Sequence, residues 1–198
     1  MNKRFELWSL DHWLVIFFTV SLLICFVAIG KKDPKSVAAN RIGYCLSGIL
    51  ILNSLAYVFY RIFAGYWEIK YDLPMEFCNW SLLATAIALL NHNRTFAEIS
   101  YFWVMSGSVN GVIFPDLQYE FPHLYFFIFF VNHSGLVISS LYLVFGLGLY
   151  PQKGSVIRSF LWLQVYTVSA FLVDFFLKTN YGYLMEKPKS ASPLDWLG

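Results

Sequence analysis

Two residues of this sequence could act together as a nucleophile and its base. Cys78 lies about one turn into an apolar run that predicts a helix, and a helix N-terminus favours a nucleophilic thiolate. His133 lies inside another apolar run, where an imidazole can act as a general base near neutral pH. The alternatives are a structural thiol and a histidine that is hydrogen-bonded between helices.

The neighbours of Cys78 act on it in opposite directions. Glu76 is two residues away, and its charge opposes a thiolate unless the carboxyl is neutral or paired. Ser81 and Thr85 follow Cys78 at spacings of three and four, which predicts one shared helix face. That face is expected to be polar in an otherwise apolar segment.

A polar stripe marks the last apolar run. Gln164, Thr167, Asp174 and Lys178 follow spacings of three and four, so we expect them to face the interior of the protein. Asp174 could pair with Lys178 four residues later or handle protons, and the sequence favours neither.

A second motif has the spacing of helix packing in membranes. Gly107 and Gly111 form GxxxG, which predicts a close contact with another helix, and Asn110 between them could line a polar cavity. The sequence contains no zinc-ligand spacing, phosphate-binding glycine loop, esterase elbow or dinucleotide fingerprint. We therefore expect no metal and no cofactor.

The elements that position these residues must be membrane helices. Of the 198 residues, 58% are hydrophobic and 13% charged, against about 25% charged in a soluble domain. The net charge is only +2 and no segment concentrates basic residues, which excludes nucleic acid as a partner. The odd number of cysteines, with Cys25 and Cys45 in apolar surroundings, argues against a disulfide scaffold.

The apolar runs are too long and continuous for barrel strands. We predict an all-α, polytopic membrane helix bundle that forms a single transmembrane domain over residues 1–198. Its six helices are expected at residues 13–30, 43–60, 75–90, 99–114, 124–149 and 160–177.

The basic residues predict the orientation. The loops after the first, third and fifth predicted helices contain seven of the fourteen Lys and Arg residues, and the loops after the second and fourth contain two, Arg61 and Lys70. The positive-inside rule then puts the N-terminus outside. Lys178, Lys187 and Lys189 in the tail oppose this, unless one further helix follows Gly198.

Three motifs together resemble the YwaF-type integral membrane proteins of bacteria. They are LPMEFC at 73–78, NHSG at 132–135, and a closing stretch with TNYGYL at 179–184 and residues 187–198. These proteins are similar to a eukaryotic family of transmembrane acyltransferases that act on ether phospholipids. The fold also looks like that of the androgen-induced membrane hydrolases of lipid esters, which use a Thr and a His.

The resemblance implies a site and a location. In the acyltransferases a Cys takes the acyl group and a His activates it, and Cys78 and His133 stand at the matching motif positions. Where the family often has His and Gly, this chain has Glu76 and Asn132. The resemblance also implies membrane lipids as partners, a bacterial cytoplasmic membrane, and a further C-terminal helix after Gly198.

Two main functions follow as hypotheses. The first is lipid acyl transfer or ester hydrolysis through a Cys78 thioester, in which Asn79, Asn110 or a backbone amide stabilises the oxyanion. The second is a transporter component that binds a small molecule through His133, Asn110 and Asp174. A third hypothesis is a helix bundle with a scaffolding role and no chemistry of its own. The sequence does not predict the oligomeric state.

Overall fold

The computed structural model describes residues 5–187, and every regular element in this part of the chain is helical. The elements are α1 (Leu10–Lys32), α2 (Val37–Phe63), the one-turn α3 (Ile69–Asp72), α4 (Phe77–Asn91), α5 (Arg94–Trp103), α6 (Val109–Ile113), α7 (Leu124–Leu141) and α8 (Ser155–Leu177). A π-turn, Val104–Ser108, joins α5 to α6, and another, Tyr142–Gly146, extends α7. A 3₁₀ turn, Tyr181–Tyr183, follows α8. The predicted all-α class is confirmed.

Polar caps make the helices longer than the apolar runs that predicted them. The Ser9 hydroxyl accepts from the amide of His12, so α1 begins before residue 13. The Ser36 hydroxyl accepts from the amide of Ala39 and begins α2 before residue 43. Each cap supplies an acceptor for an amide that would otherwise lack a partner in the first turn.

Four helices are long and apolar enough to cross a membrane: Leu10–Lys32, Val37–Phe63, Leu124–Gly146 and Ser155–Leu177. α4 is apolar but has only 15 residues. At 1.5 Å per residue it is about 22 Å long, less than the ~30 Å core of a bilayer. Each of the six predicted apolar runs is helical, and the fourth is built from α5, the π-turn and α6 over residues 94–113. Among the described residues, however, only four helices are long enough to span a membrane.

α4 lies at the centre of the contacts that build the bundle. It packs most extensively against α5 and also against α2 and α7, while α1 packs on α7 and α8 packs on α5. At the basic end of the bundle, buried Glu98 accepts from Arg158 at 2.6 Å and from the amide of Gln152 at 3.0 Å. This carboxylate ties α5 to α8 and to the loop before it.

The end of α8 differs from the expected polar stripe. Asp174 is buried, but Gln164 and Lys178 are exposed, and no Asp174–Lys178 ion pair forms among residues 5–187. Instead Asp174 Oδ1 accepts from the Thr179 hydroxyl at 2.5 Å and from the amide of Tyr181 at 2.8 Å. The reason is that α8 ends at Leu177, and Lys178, with φ 53°, turns the chain back towards the carboxylate.

Candidate functional site

A cavity of about 560 Å³ lies where α2 ends, α4 begins, α6 ends and α7 begins. Its wall includes six of the seven residues that the sequence nominated for the site: Glu76, Cys78, Asn79, Asn110, Asn132 and His133. The seventh, Asp174, does not line it. The cavity thus combines a thiol, an imidazole and several side-chain amides in a mainly apolar bundle.

Cys78 lies in the first turn of α4 and contacts the π-turn on its buried side. The Ser108 hydroxyl donates to Cys78 Sγ at 3.8 Å. Cys78 itself is half-buried and lines the cavity, so the thiol lies between a hydroxyl donor and open space. Ser81 and Thr85, which the spacing puts on the same face of α4 as Cys78, are fully buried, and the Thr85 hydroxyl is 2.7 Å from that of Ser100 on α5.

The backbone fixes the ring of His133. Nδ1 lies 2.9 Å from the carbonyl oxygen of Phe129, and the imidazole stacks on the Phe129 ring with centroids 4.1 Å apart. A carbonyl oxygen only accepts, so Nδ1 carries the proton and donates it. In a neutral imidazole this leaves Nε2 unprotonated, as a general base requires.

Both glycines of the GxxxG motif make room for rings. A Cβ on Gly107 would lie 2.9 Å from the Phe77 ring, and a Cβ on Gly111 would lie 2.9 Å from His133 Nε2. The close packing predicted from GxxxG is present, although the neighbours are side-chain rings. Asn110 between them lines the cavity and donates to the carbonyl of Ser106 at 2.8 Å.

Glu76 precedes α4 at the cavity wall. Its Oε2 accepts from the amide of Gly182 at 3.3 Å, so the segment after α8 reaches the start of α4. Although the Glu76 side chain is partly exposed, desolvation by the surrounding protein raises its pKa; the Gly182 amide opposes this, and the charge of Asp174 adds to it. The carboxyl therefore stays neutral to a higher pH than an ordinary glutamate, which weakens its opposition to a thiolate at Cys78.

A polar network that the sequence did not predict lies at the same wall of the cavity. Asp72 accepts from Arg61 twice, at 2.9 Å each, from the Tyr57 hydroxyl at 2.8 Å and from the amide of Glu68 at 2.8 Å. The Tyr125 hydroxyl donates to that of Tyr57 at 3.0 Å. Burial acts to raise the pKa of Asp72, but the bonds from Arg61, Glu68 and Tyr57 outweigh it and hold the pKa below its usual range. The signal available in the sequence was an Arg near one predicted helix end and an Asp in the next loop.

Other candidate residues have structural partners. His12 is fully buried, its Nε2 lies 2.8 Å from the carbonyl of Val112, and its Nδ1 accepts from the amide of Trp8. In residues 5–187, no group of three or more His, Cys, Asp or Glu side chains could hold a metal ion. The last part of the closing motif, residues 188–198, lies outside the described residues.

The chain matches the sequence model of a known protein family. No curated protein and no solved structure matches this chain. The sequence model of the TMEM164 family matches residues 7–198, which is nearly the whole length. Together with four apolar helices of membrane-spanning length, this match shows that the chain is an integral membrane protein and belongs to the TMEM164 family.

Proposed function

We propose that this protein transfers fatty acyl chains between membrane lipids through a thioester on Cys78, with His133 as the general base. The observation that carries the proposal is that both side chains line one cavity, in which the His133 tautomer leaves Nε2 able to accept a proton. The resemblance of LPMEFC and NHSG to acyltransferase motifs supports the same pair.

The length of α4 supports access from the bilayer. Since α4 is about 8 Å shorter than the hydrocarbon core, its N-terminus with Cys78 would lie below the membrane surface. Non-helical backbone at that depth is tolerated where it lines a cavity, as residues 73 to 76 do in part through Leu73, Pro74 and Glu76. An ester carbonyl near the headgroup of a phospholipid lies at a similar depth.

The distribution of charged residues between the two ends of the bundle supports an orientation in the membrane. The cavity is at the end of the bundle that contains Asp72, Asp116 and Glu120 together with Arg61, Lys70 and Lys178, and the other end contains seven Lys and Arg residues. By the positive-inside rule the N-terminus and the cavity face outward. The enzyme would then take its lipids from the outer leaflet.

The reaction has two half-reactions. In the first, His133 Nε2 takes the Cys78 proton and the sulfur attacks the ester carbonyl of a phospholipid. The C–O bond to the lysolipid then breaks, and the leaving oxygen takes the proton from His133. In the second, the hydroxyl of an acceptor lysolipid gives its proton to His133 and attacks the thioester, the C–S bond breaks, and the proton returns to Cys78. Water as the acceptor would give hydrolysis.

The start of α4 offers donors for the oxyanion of each tetrahedral intermediate. The side chain of Glu76 makes no capping hydrogen bond with the first amides of α4, so the N–H of Cys78 can donate to an anion. The side-chain amides of Asn79 and Asn110 line the same cavity. These groups would become important where negative charge develops, on the former carbonyl oxygen.

The test is intact-protein mass spectrometry after the full-length protein has been incubated with a defined phospholipid. We expect an added acyl mass that hydroxylamine removes, that Cys78→Ala lacks and that Cys45→Ala retains. Cys45 is the matched control, because it is exposed on α2 and does not line the cavity. Folded wild-type protein that forms no adduct and turns over no lipid would reject acyl transfer and favour solute binding in the cavity. An adduct that persists in Cys78→Ala would reject Cys78 as the nucleophile.

A further inference from the structure

Ser108 is a fully buried serine whose hydroxyl is directed at a cavity residue. It is the last residue of the π-turn and has no accessible surface. Within residues 5–187, its one side-chain hydrogen bond is the donation to Cys78 Sγ at 3.8 Å. A buried hydroxyl needs a partner, and here that partner is the proposed nucleophile.

The π-turn is what directs Ser108 towards α4. α4 and α5 run antiparallel: the Thr85 hydroxyl contacts that of Ser100, and Cys78 Sγ contacts the Ser108 hydroxyl. Cys78 and Thr85 are seven residues apart, close to two helical turns, but Ser100 and Ser108 are eight apart. In an uninterrupted α-helix eight residues would rotate Ser108 about 80° away from the face of Ser100.

The extra residue of the π-turn removes this mismatch. The amide of Val109 bonds to the carbonyl of Val104, five residues earlier, so the turn holds one more residue than an α-turn. The chain from Ser100 to Ser108 therefore turns about the helix axis by as much as seven residues of an ordinary α-helix would. This leaves the direction of Ser108 within about 20° of that of Ser100. Both serines consequently face α4.

We infer that Ser108 is a positioning residue, whose hydroxyl holds the Cys78 sulfur in place and stabilises its thiolate. A hydroxyl bond to a neutral thiol is weak, whereas the bond to a thiolate is charge-assisted, so the hydroxyl favours ionisation. The effect of Ser108 on the reactivity of the Cys78 thiol does not depend on any lipid reaction. The role of Ser108 in lipid turnover rests on the proposed acyl transfer.

Other titratable groups also act on this sulfur. Glu76 precedes α4, Tyr166 on α8 and Tyr183 after α8 are near enough for charge coupling to Cys78, and His133 on α7 lines the same cavity. A test must therefore hold these groups constant and change only the hydroxyl. Ser106 provides a matched control, because it belongs to the same π-turn but donates to the carbonyl of Trp103.

The experiment measures the rate of Cys78 alkylation by N-ethylmaleimide from pH 6 to pH 10, in a full-length background with Cys25→Ala and Cys45→Ala. Ser108→Ala is expected to slow alkylation roughly tenfold at pH 8 and to move the rising limb of the rate profile to higher pH. Ser106→Ala should match the background protein. Ser108→Thr, which keeps the hydroxyl, should stay within about threefold of it.

Identical profiles for Ser108→Ala and Ser106→Ala would overturn the inference, and so would a Ser108→Thr profile that matches Ser108→Ala. If Ser108→Ala does not elute as a folded species, Ser108→Gly removes the same hydroxyl and carries the same expectation. A shifted profile in a protein without lipid turnover would support the role of Ser108 and reject acyl transfer. Lipid turnover with an unshifted profile would reject the role of Ser108 alone.

Discussion

The imidazole of His133 packs against Gly111 with no space for a methyl group between them. A Cβ at Gly111 would lie 2.9 Å from His133 Nε2, inside van der Waals contact. On its other side the ring stacks on Phe129 and donates from Nδ1 to the Phe129 carbonyl. Three contacts therefore hold the imidazole in one place, and the glycine is one of them.

Gly111→Ala is expected to displace the His133 ring and lower lipid turnover more than tenfold, since small errors of catalytic geometry are costly. Overpacking should also lower the free energy of unfolding by about 1–3 kcal/mol. Gly48→Ala is the control, because nothing lies within 4 Å of a Cβ there. Turnover and thermal unfolding in detergent measure both effects, and equal turnover in the two variants would show that Gly111 does not position His133.

Glu76→Gln is expected to change thiol reactivity in a pH-dependent way. At a pH below the raised pKa of Glu76 the carboxyl is neutral, and there the variant and the wild type should react alike. As the pH rises and Glu76 ionises, its charge disfavours the Cys78 thiolate, and only the wild type is slowed. The ratio of alkylation rates, variant to wild type, should rise several-fold with pH. A ratio that stays constant from pH 5 to pH 9 would contradict this.

Apolar runs and charged ends predicted the helical bundle well, because lipid-facing segments must satisfy their own backbone groups. The ends were less predictable. The helix expected to begin at residue 99 begins at residue 94. The Asn93 side chain accepts from the amide of Phe96 and caps this helix, although its first residues are polar. The π-turn at Val104–Ser108 has no sequence signature, yet it determines that Ser108 contacts Cys78.

Residue type alone nominated Cys78 and His133; both line the cavity, and their chemical roles stay predictions. The candidate site was not predictable where a role depends on partners distant in sequence. Asp72 is held by Arg61 and Tyr57 from the preceding helix, and nothing in the residues between them specifies that return of the chain. Asp174 was expected to face Lys178 or a site, but a left-handed turn gave it backbone and hydroxyl donors that pattern analysis does not anticipate.

The Arg61–Asp72 pair is expected to contribute a stability that acid removes. Since the folded pKa of Asp72 is lowered, its contribution is present above the unfolded pKa of about 3.9 and is lost as the pH falls through the folded value. Asp72→Asn should therefore unfold at a lower temperature than the wild type by a constant difference between pH 5 and pH 8. The difference should narrow below about pH 4. A difference that widens on acidification would show that the pair is not the cause.

Asp174→Ala is expected to loosen the segment after α8 without removing the chemistry. Thr179 and Tyr181 are buried, and loss of the carboxylate leaves the Thr179 hydroxyl and the Tyr181 amide without their acceptor, at a cost of roughly 2–4 kcal/mol in unfolding free energy. Ser169→Ala is the control, because that exposed hydroxyl donates only within α8.

Tryptic cleavage after exposed Lys178 measures the loosening directly. It should be faster in Asp174→Ala than in the wild type or in Ser169→Ala, because the segment that follows has lost its anchor. The Cys78 thioester should still form at a temperature where the variant is folded, since Asp174 does not line the cavity. Loss of the thioester with wild-type proteolysis and stability would instead make Asp174 part of the chemistry, because the folded segment would then be intact while the reaction had failed.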